Sequence, residues 1–161
     1  MASSRQRKLP DVGSRAPDFR LARLEGGEMR LADVAAGGPA LLAFFKVSCP
    51  VCQMTLPFLD RLRAAGMPVF GISQDDAADT REFMHEFGVG LPMLLDSDDQ
   101  DYPASNAYSI SSVPTLFLVE RDGTLARVIQ GWQKAEMESL GALAGIALFG
   151  PKDNVPAWKA G

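Results

Sequence analysis

ALLAFFKVSCPVCQMTLPFLD, residues 40–60, is the stretch that decides the fold. Its first half is an apolar run interrupted only by Lys46, which is the pattern of a strand buried on both faces. Cys49 and Cys52 follow, and the chain has no other cysteines. Pro50 stands where a helix can begin without its N–H, and apolar residues then recur at helical spacing. The stretch therefore predicts a buried strand followed by a helix whose start carries both cysteines.

Length and composition predict one domain. The chain has 161 residues, of which 47% are hydrophobic, and this is enough for a single well-buried core. We expect a flexible N-terminus over residues 1–10, the domain over 11–150, and a loose polar tail over 151–161. The formal net charge of -4 argues against a nucleic-acid partner, because binding a phosphate backbone needs a concentrated positive face.

The sequence also bears on the cellular location. No apolar run approaches the roughly 18 to 20 residues of a membrane span. Residues 1–10 include basic side chains but lack the apolar segment of a secretory signal. The expected location is therefore the cytoplasm, or the periplasm if an export signal has been removed from the chain.

The remaining apolar runs give the order of the elements. Alternating residues about a glycine turn at 26–27 predict an N-terminal β-hairpin. A second buried strand is expected at 67–72, and the runs at 115–120 and 125–130 predict an antiparallel hairpin. A last amphipathic helix is expected to continue to Leu148. This order predicts an α/β fold with a mixed central sheet flanked by helices.

Two cysteines at the start of a helix suit disulfide exchange. The sulfur of Cys49 would lie beside the free N–H groups and the positive end of the helix dipole, which favour a thiolate, the nucleophile of the exchange. Cys52 lies one turn further and is expected to be more buried. It is spaced to attack a mixed disulfide on Cys49 and release the partner. We therefore predict that both cysteines are catalytic.

Other interpretations of the pair remain. A structural zinc site needs four ligands, and beyond the cysteines the chain offers one histidine, His85. Cu(I) binding by the two thiols with His85 is chemically reasonable for soft ligands. Two buried structural thiols are also possible, although that role does not account for their place at a helix start after a strand. We predict no metal site.

Taken in order, the motifs resemble those of the thioredoxin-fold redoxins. The closest group is the TlpA/ResA-like thiol-disulfide oxidoreductases within the alkyl hydroperoxide reductase/thiol-specific antioxidant superfamily. The resemblance covers roughly residues 11 to 148. It is carried by GSRAPDF at 13–19, Phe44-Phe45, Cys49-Pro50-Val51-Cys52, Ala107-Tyr108, Val113-Pro114-Thr115, Asp122-Gly123 and Gly131.

The resemblance implies a thioredoxin-like fold and a thiol-disulfide oxidoreductase that exchanges the disulfide of its cysteine pair with protein thiols. It also implies that Pro114 is a cis-proline facing the two sulfurs, with the Val113 backbone turned toward an extended partner peptide. Ser48 and Pro50 are expected to border this docking site. We expect no cofactor, a redox donor such as a thioredoxin reductase-type or membrane thiol system, and a monomer or weak dimer.

The sequence departs from its relatives at three positions near the pair. Ala43 stands where thioredoxins bury an Asp, and Ser48 stands where they carry a Trp. Thr55 replaces a Glu of the ResA-like group. We therefore expect no carboxylate at these positions to take the proton of Cys52, and Lys46 could instead favour a thiolate electrostatically.

A thiol peroxidase is the alternative activity, with Cys49 as the peroxidatic residue and Cys52 as the resolving one. The pattern P-x-x-x-T/S-x-x-C of peroxiredoxins is absent, because neither cysteine has the required residues at the required spacing before it. A Cu(I)-binding or redox-sensing module is the non-enzymatic alternative.

Overall fold

The computed structural model describes residues 8–161. The flexibility predicted for residues 1–10 therefore falls mainly on residues that lie outside this description. The strands of the main sheet are β1 Arg20–Arg23, β2 Glu28–Arg30, β3 Ala40–Phe45, β4 Val69–Ser73, β5 Met93–Leu95, β6 Thr115–Val119 and β7 Leu125–Gln130. They form one mixed sheet in the order β2-β1-β5-β4-β3-β6-β7.

The strand that precedes the cysteines lies in the middle of this sheet. All six residues of β3 are fully buried, as its uninterrupted apolar sequence predicts. It pairs in parallel with β4 and antiparallel with β6. On it, Phe44 packs its ring against Tyr108 and Phe117, with ring centroids 5.2 and 5.7 Å away. The buried strand at the start of the opening stretch is therefore confirmed.

Helices flank the sheet, as the order of elements predicts. They are α1 Leu31–Ala35, α2 Pro50–Ala64, α3 Ala77–Phe87, α4 Pro103–Ala107 and α5 Lys134–Leu143. The cysteine helix α2 begins at Pro50 and ends before Gly66, whose φ of 103° is readily adopted by a residue without a Cβ. The Asp76 side chain caps α3 by accepting the N–H of Asp79 at 2.8 Å.

The N-terminal hairpin is confirmed and extends the main sheet. Strand β1 pairs antiparallel with β2 on one side and with β5 on the other. The sequence did not predict the short helix α1 that follows, because five residues are too few to show a helical period. It is held locally by Asp33, whose carboxylate accepts the N–H of Arg30 at 2.9 Å.

The last helix is shorter than predicted. It ends at Leu143, and Gly145 takes a φ of 77° that turns the chain away. Leu148 is nevertheless buried, and it packs onto the helix at Gly141, where an added Cβ would lie 3.0 Å from the Leu148 Cβ. The apolar spacing that predicted a helix up to Leu148 therefore reflects burial of that side chain by a returning loop.

The prediction of a loose tail over residues 151–161 is wrong. Within the tail, β9 Trp158–Lys159 pairs antiparallel with β8 Trp132–Gln133 in a separate two-stranded sheet. The Trp132 indole N–H donates to the Pro156 carbonyl at 2.7 Å, and Arg61 pairs with Asp153 at 2.7 Å. Backbone and polar groups make these contacts, so the polar composition of the tail does not reveal them.

No helix within residues 8–161 has the length and apolar character that crossing a membrane requires.

Candidate active site

Cys49 lies at the junction between the central strand and its helix. It is the N-cap residue of α2, with an extended backbone, and its Sγ accepts the N–H of Cys52 at 3.1 Å. Pro50 occupies the first helical position, where no N–H is needed. Cys49 is partly exposed. A free N–H group of the helix start therefore points at an accessible sulfur, an arrangement that stabilises negative charge there.

Cys52 has the opposite environment. It lies in the first turn of α2 and is fully buried. Burial raises the pKa of the Cys52 thiol far above its ordinary value, and its hydrogen bond with Cys49 adds to the rise. The two sulfurs therefore differ in kind, since one is accessible and the other is a neutral thiol in the core.

The turn before Cys49 is fixed by three hydrogen bonds. The Val47 N–H donates to Asp75 Oδ2 at 2.8 Å, and the Gln53 side-chain amide donates to the Val47 carbonyl at 2.9 Å. The Cys49 N–H donates to the Lys46 carbonyl at 3.3 Å. These bonds connect the turn to the end of β4 and to α2, and they keep the Cys49 sulfur in place.

Asp75 is a site residue that the sequence reasoning missed. Besides holding Val47, its negative charge contributes to the raised pKa of Cys52. A signal was available, because β3 and β4 are parallel and Phe45 lies opposite Ser73. Residues that follow adjacent parallel strands meet at the same edge of a sheet.

The loop before β6 faces the first cysteine. The Val113–Pro114 peptide bond is cis, and the Cys49 S–H donates to the Val113 carbonyl at 3.5 Å. Both residues are buried, and the Pro114 carbonyl accepts the N–H of Gly131 at 2.8 Å. The structure thus brings Val113 and Pro114 to the cysteine pair, whereas Ser48 and Pro50 are exposed beside it.

The three positions that depart from the relatives carry no acidic group into the site. Ala43 is buried within β3, and Ser48 is exposed. Thr55 is buried, and its hydroxyl donates to the Val51 carbonyl of the preceding helical turn at 2.6 Å. The Lys46 side chain is exposed at the mouth of a cleft.

That cleft lies beside Val113 and has a volume of about 280 Å³. Its walls include Lys46, Gln74, Asn106 and the segment 110–113. The Gln74 side-chain amide donates to the Ser105 hydroxyl at 2.8 Å, and this bond between two lining residues links the end of β4 to α4. Polar groups thus surround the approach to Val113.

His85 is not part of the site. It lies exposed on α3, where it is the basic residue of the last turn. In the described range 8–161, no three or more His, Cys, Asp and Glu side chains come together in a way that could hold a metal ion.

An accessible sulfur at a helix start, a buried thiol one turn later and a cis-proline opposite them, all on a mixed sheet flanked by helices, define a thiol-disulfide oxidoreductase with a thioredoxin-like fold. Residues 12–128 match the model of the AhpC/TSA family, and this match spans more than half of the chain. The protein therefore belongs to the AhpC/TSA family.

Relatives of known type agree with this class. The thiol-disulfide oxidoreductase ResA of Geobacillus thermodenitrificans is 32% identical over 130 residues, which cover 78% of this chain and 72% of the relative. The thioredoxin domain of a Bacteroides vulgatus thiol-disulfide oxidoreductase superposes with a TM-score of 0.72 at 20% identity, over 84% of this chain and 99% of that one. A thiol:disulfide interchange protein from Bacteroides sp. gives 0.70 at 20% identity, over 88% and 93%. The two structures confirm the thioredoxin-like fold.

Proposed function

We propose that Cys49 is the attacking cysteine of the exchange. Its sulfur lies between the Cys52 N–H at 3.1 Å and the Val113 carbonyl at 3.5 Å, and this placement is the observation that carries the proposal. The Cys49 thiolate attacks one sulfur of a partner disulfide. A mixed disulfide between Cys49 and the partner forms, and the other partner sulfur leaves as a thiolate.

Cys52 completes the reaction as the resolving cysteine. After it loses its proton, its thiolate attacks the Cys49 sulfur, the mixed disulfide breaks, and the second partner thiolate leaves. Cys49 and Cys52 are then oxidised to a disulfide, and the partner has gained two electrons. Since burial raises the pKa of Cys52, this thiol stays protonated and does not compete with Cys49 for the partner.

The partner is proposed to dock as an extended segment on Val113 and Pro114. Such a segment can form main-chain hydrogen bonds with the backbone of a docking edge. Ser48 and Pro50 are the exposed neighbours of Cys49 in the chain and would form the other rim. The cleft of about 280 Å³ beside Val113 offers room for a partner side chain, and its polar walls favour a polar one.

Return of the pair to the dithiol form needs a donor of two electrons. The proposed donor is a thioredoxin reductase-type system in the cytoplasm, or a membrane thiol system if the protein works in the periplasm. A potential near -270 mV, about that of thioredoxin, would make the pair a reductant. Equilibration with glutathione and dithiothreitol buffers, followed by thiol trapping, measures this potential.

Two single substitutions test the assignment of roles. Cys49→Ser is expected to abolish reduction of insulin disulfides, because the attacking sulfur is lost. Cys52→Ser is expected to accumulate mixed disulfides between Cys49 and the partner, because the second step is blocked. Mass spectrometry after acid quenching identifies the trapped species.

Ala135→Ser is a control, because Ala135 is exposed on α5 and does not line the cleft beside Val113. It should retain insulin reduction and trap no partner. The assignment is wrong if both cysteine variants keep full exchange activity, and the roles are reversed if Cys49→Ser is the variant that accumulates mixed disulfides.

A further inference from the structure

Residues 155–161, here called the strap, run from Trp132 to the Val113 carbonyl at the active-site rim. At the start of the strap, the Pro156 carbonyl accepts the Trp132 indole N–H at 2.7 Å. The Ala157 carbonyl then accepts the Lys134 N–H at 2.9 Å, and β9 pairs with β8. The strap is therefore an extended segment held through its backbone.

The far end of the strap lies against the proposed docking edge. A Cβ added at Gly161 would lie 2.4 Å from the Val113 carbonyl oxygen and 3.3 Å from the Pro114 nitrogen. This carbonyl is the one that faces the Cys49 sulfur. At Gly131, an added Cβ would lie 2.6 Å from the Lys159 carbonyl oxygen. Two residues without side chains thus allow close backbone contact at both places.

The strap is fixed at its base and lightly held at its far end. Just before it, Asp153 pairs with Arg61 at 2.7 Å and accepts the Gly150 N–H at 2.7 Å. From Ala157 onward every residue of the strap is exposed, and Trp158 keeps 64% of its surface exposed. Because little apolar surface is buried there, opening the far end costs few contacts.

We propose that the strap is an intramolecular competitor for the docking edge at Val113 and Pro114. The strap brings Gly161 against this edge, and its β9 part is extended, which is the form in which the proposed partner would dock. A partner polypeptide must displace residues 157–161 before its disulfide reaches Cys49, whereas a small disulfide approaches the exposed side of the sulfur directly. This inference rests on the proposed docking of partners at Val113 and Pro114.

Removal of residues 157–161 tests the competition. The shortened chain keeps the Arg61–Asp153 ion pair and the Trp132–Pro156 hydrogen bond, so the base of the strap stays intact. We expect kcat/KM for insulin disulfides to rise about tenfold. This is the expected rise if the strap covers the docking edge in about nine-tenths of the full-length molecules, because removing it makes all of them competent to bind. The rate with the small disulfide 5,5′-dithiobis(2-nitrobenzoate) should not change.

The peptide VPAWKAG, which has the sequence of the strap, provides a second test. Added to the shortened chain, it should slow insulin reduction and leave the small-disulfide reaction unaffected. Leu143→Ala in the full chain is the control for loss of an exposed apolar side chain. Leu143 is exposed, as Trp158 of the strap is, but it lies at the end of α5. The substitution should leave both rates unchanged.

Hydrogen exchange reports the displacement without relying on turnover. In the full chain carrying Cys52→Ser, the Lys134 N–H should exchange faster once a cysteine peptide is joined to Cys49, because its acceptor at Ala157 has moved away. Unchanged exchange in the mixed disulfide would overturn the proposal.

The kinetic outcomes separate this inference from the proposed function. Equal insulin rates for the full and the shortened chain, with normal small-disulfide reactivity, would overturn the competition and leave the exchange mechanism standing. A slower insulin reaction after shortening would also overturn it, since the strap would then help to bind the partner. No reaction of either chain with either disulfide would instead refute the exchange mechanism itself.

Discussion

The open side and the core side of the first turn of α2 present two different thiols. On the open side, Cys49 is partly exposed and faces the Val113 carbonyl. On the core side, Cys52 is fully buried and its pKa is raised by that burial. One helical turn thus separates a sulfur that partners can reach from one that they cannot. In the proposed mechanism, position relative to the core, rather than an acidic helper at the positions used by relatives, distinguishes the two roles.

The largest expected effect falls on activity when the open side is changed. Cys49→Ser should lower kcat/KM for insulin disulfides by about 10³-fold or more, equivalent to about 4 kcal/mol of transition-state stabilisation. Its free energy of unfolding should change by less than about 0.5 kcal/mol, because the side chain is partly exposed. Turnover assays and urea denaturation measure the two quantities. If Cys49→Ser instead lowered the free energy of unfolding by several kcal/mol, the Cys49 side chain would contribute to the core as Cys52 does.

On the core side, the buried Cys52 thiol should affect how the free energy of unfolding changes with pH. Above about pH 8.5 an unfolded chain releases its thiol protons, whereas folded Cys52 keeps its own because its pKa is raised. The folded state then binds more protons, so stability falls as pH rises. Cys52 accounts for about 1.4 kcal/mol per pH unit once the unfolded thiol is ionised. Cys52→Ala should remove this share of the slope between pH 9 and 10.

Ile72→Val is the control for that experiment. Ile72 is also fully buried, and losing one methylene should cost about 0.5 to 1.5 kcal/mol. Because no titrating group is removed, the slope against pH should match that of the unaltered chain. Above about pH 10 the slope should steepen in all variants, since burial also raises the pKa of Tyr108. Equal slopes for Cys52→Ala and the unaltered chain would contradict the prediction.

A smaller effect is expected at Asp75, which holds the turn before Cys49 and whose charge acts on Cys52. Asp75→Ala removes the acceptor of the Val47 N–H and should lower the free energy of unfolding by about 1 kcal/mol. Asp75→Asn keeps an oxygen acceptor and should lose less. It also removes a negative charge near Cys52, which lowers the pKa of that thiol and should speed the decay of the mixed disulfide. A slower decay in Asp75→Asn would show instead that the carboxylate accepts the Cys52 proton.

The smallest effect on stability is expected at the rim of the open side. Ser48→Ala should change the free energy of unfolding by less than about 0.5 kcal/mol, because Ser48 is exposed. If Ser48 borders the docking site, KM for a protein disulfide should change while the rate with a small disulfide does not. An equal change in both rates would place Ser48 in the chemistry of the sulfur and not in docking.

The features that the sequence predicted well are those with a strong local pattern. Strand β3, the helix start at Pro50 and the strand Leu125–Gln130 follow from apolar runs, a proline and a glycine turn. The cysteine pair and the facing Val113–Pro114 segment came from spacing and from resemblance to the redoxins. In each case the residues that carry the signal lie next to one another in the chain.

The features that were missed depend on distant partners. Asp75 reaches Val47 across 28 positions, and only the parallel pairing of β3 and β4 brings them together. The strap docks through carbonyl and N–H groups, which every residue possesses, so its composition resembles that of a free end. The end of α5 was misplaced because Leu148 continues the helical spacing although Gly145 has already turned the chain.

The position of the strap has a practical consequence for assays of this protein. A purification tag or fluorescent domain fused after Gly161 would leave the molecule at the Val113 carbonyl, in front of the Cys49 sulfur. Such a fusion would crowd the same space that incoming proteins need. Rates of different variants are therefore best compared on chains without such a fusion.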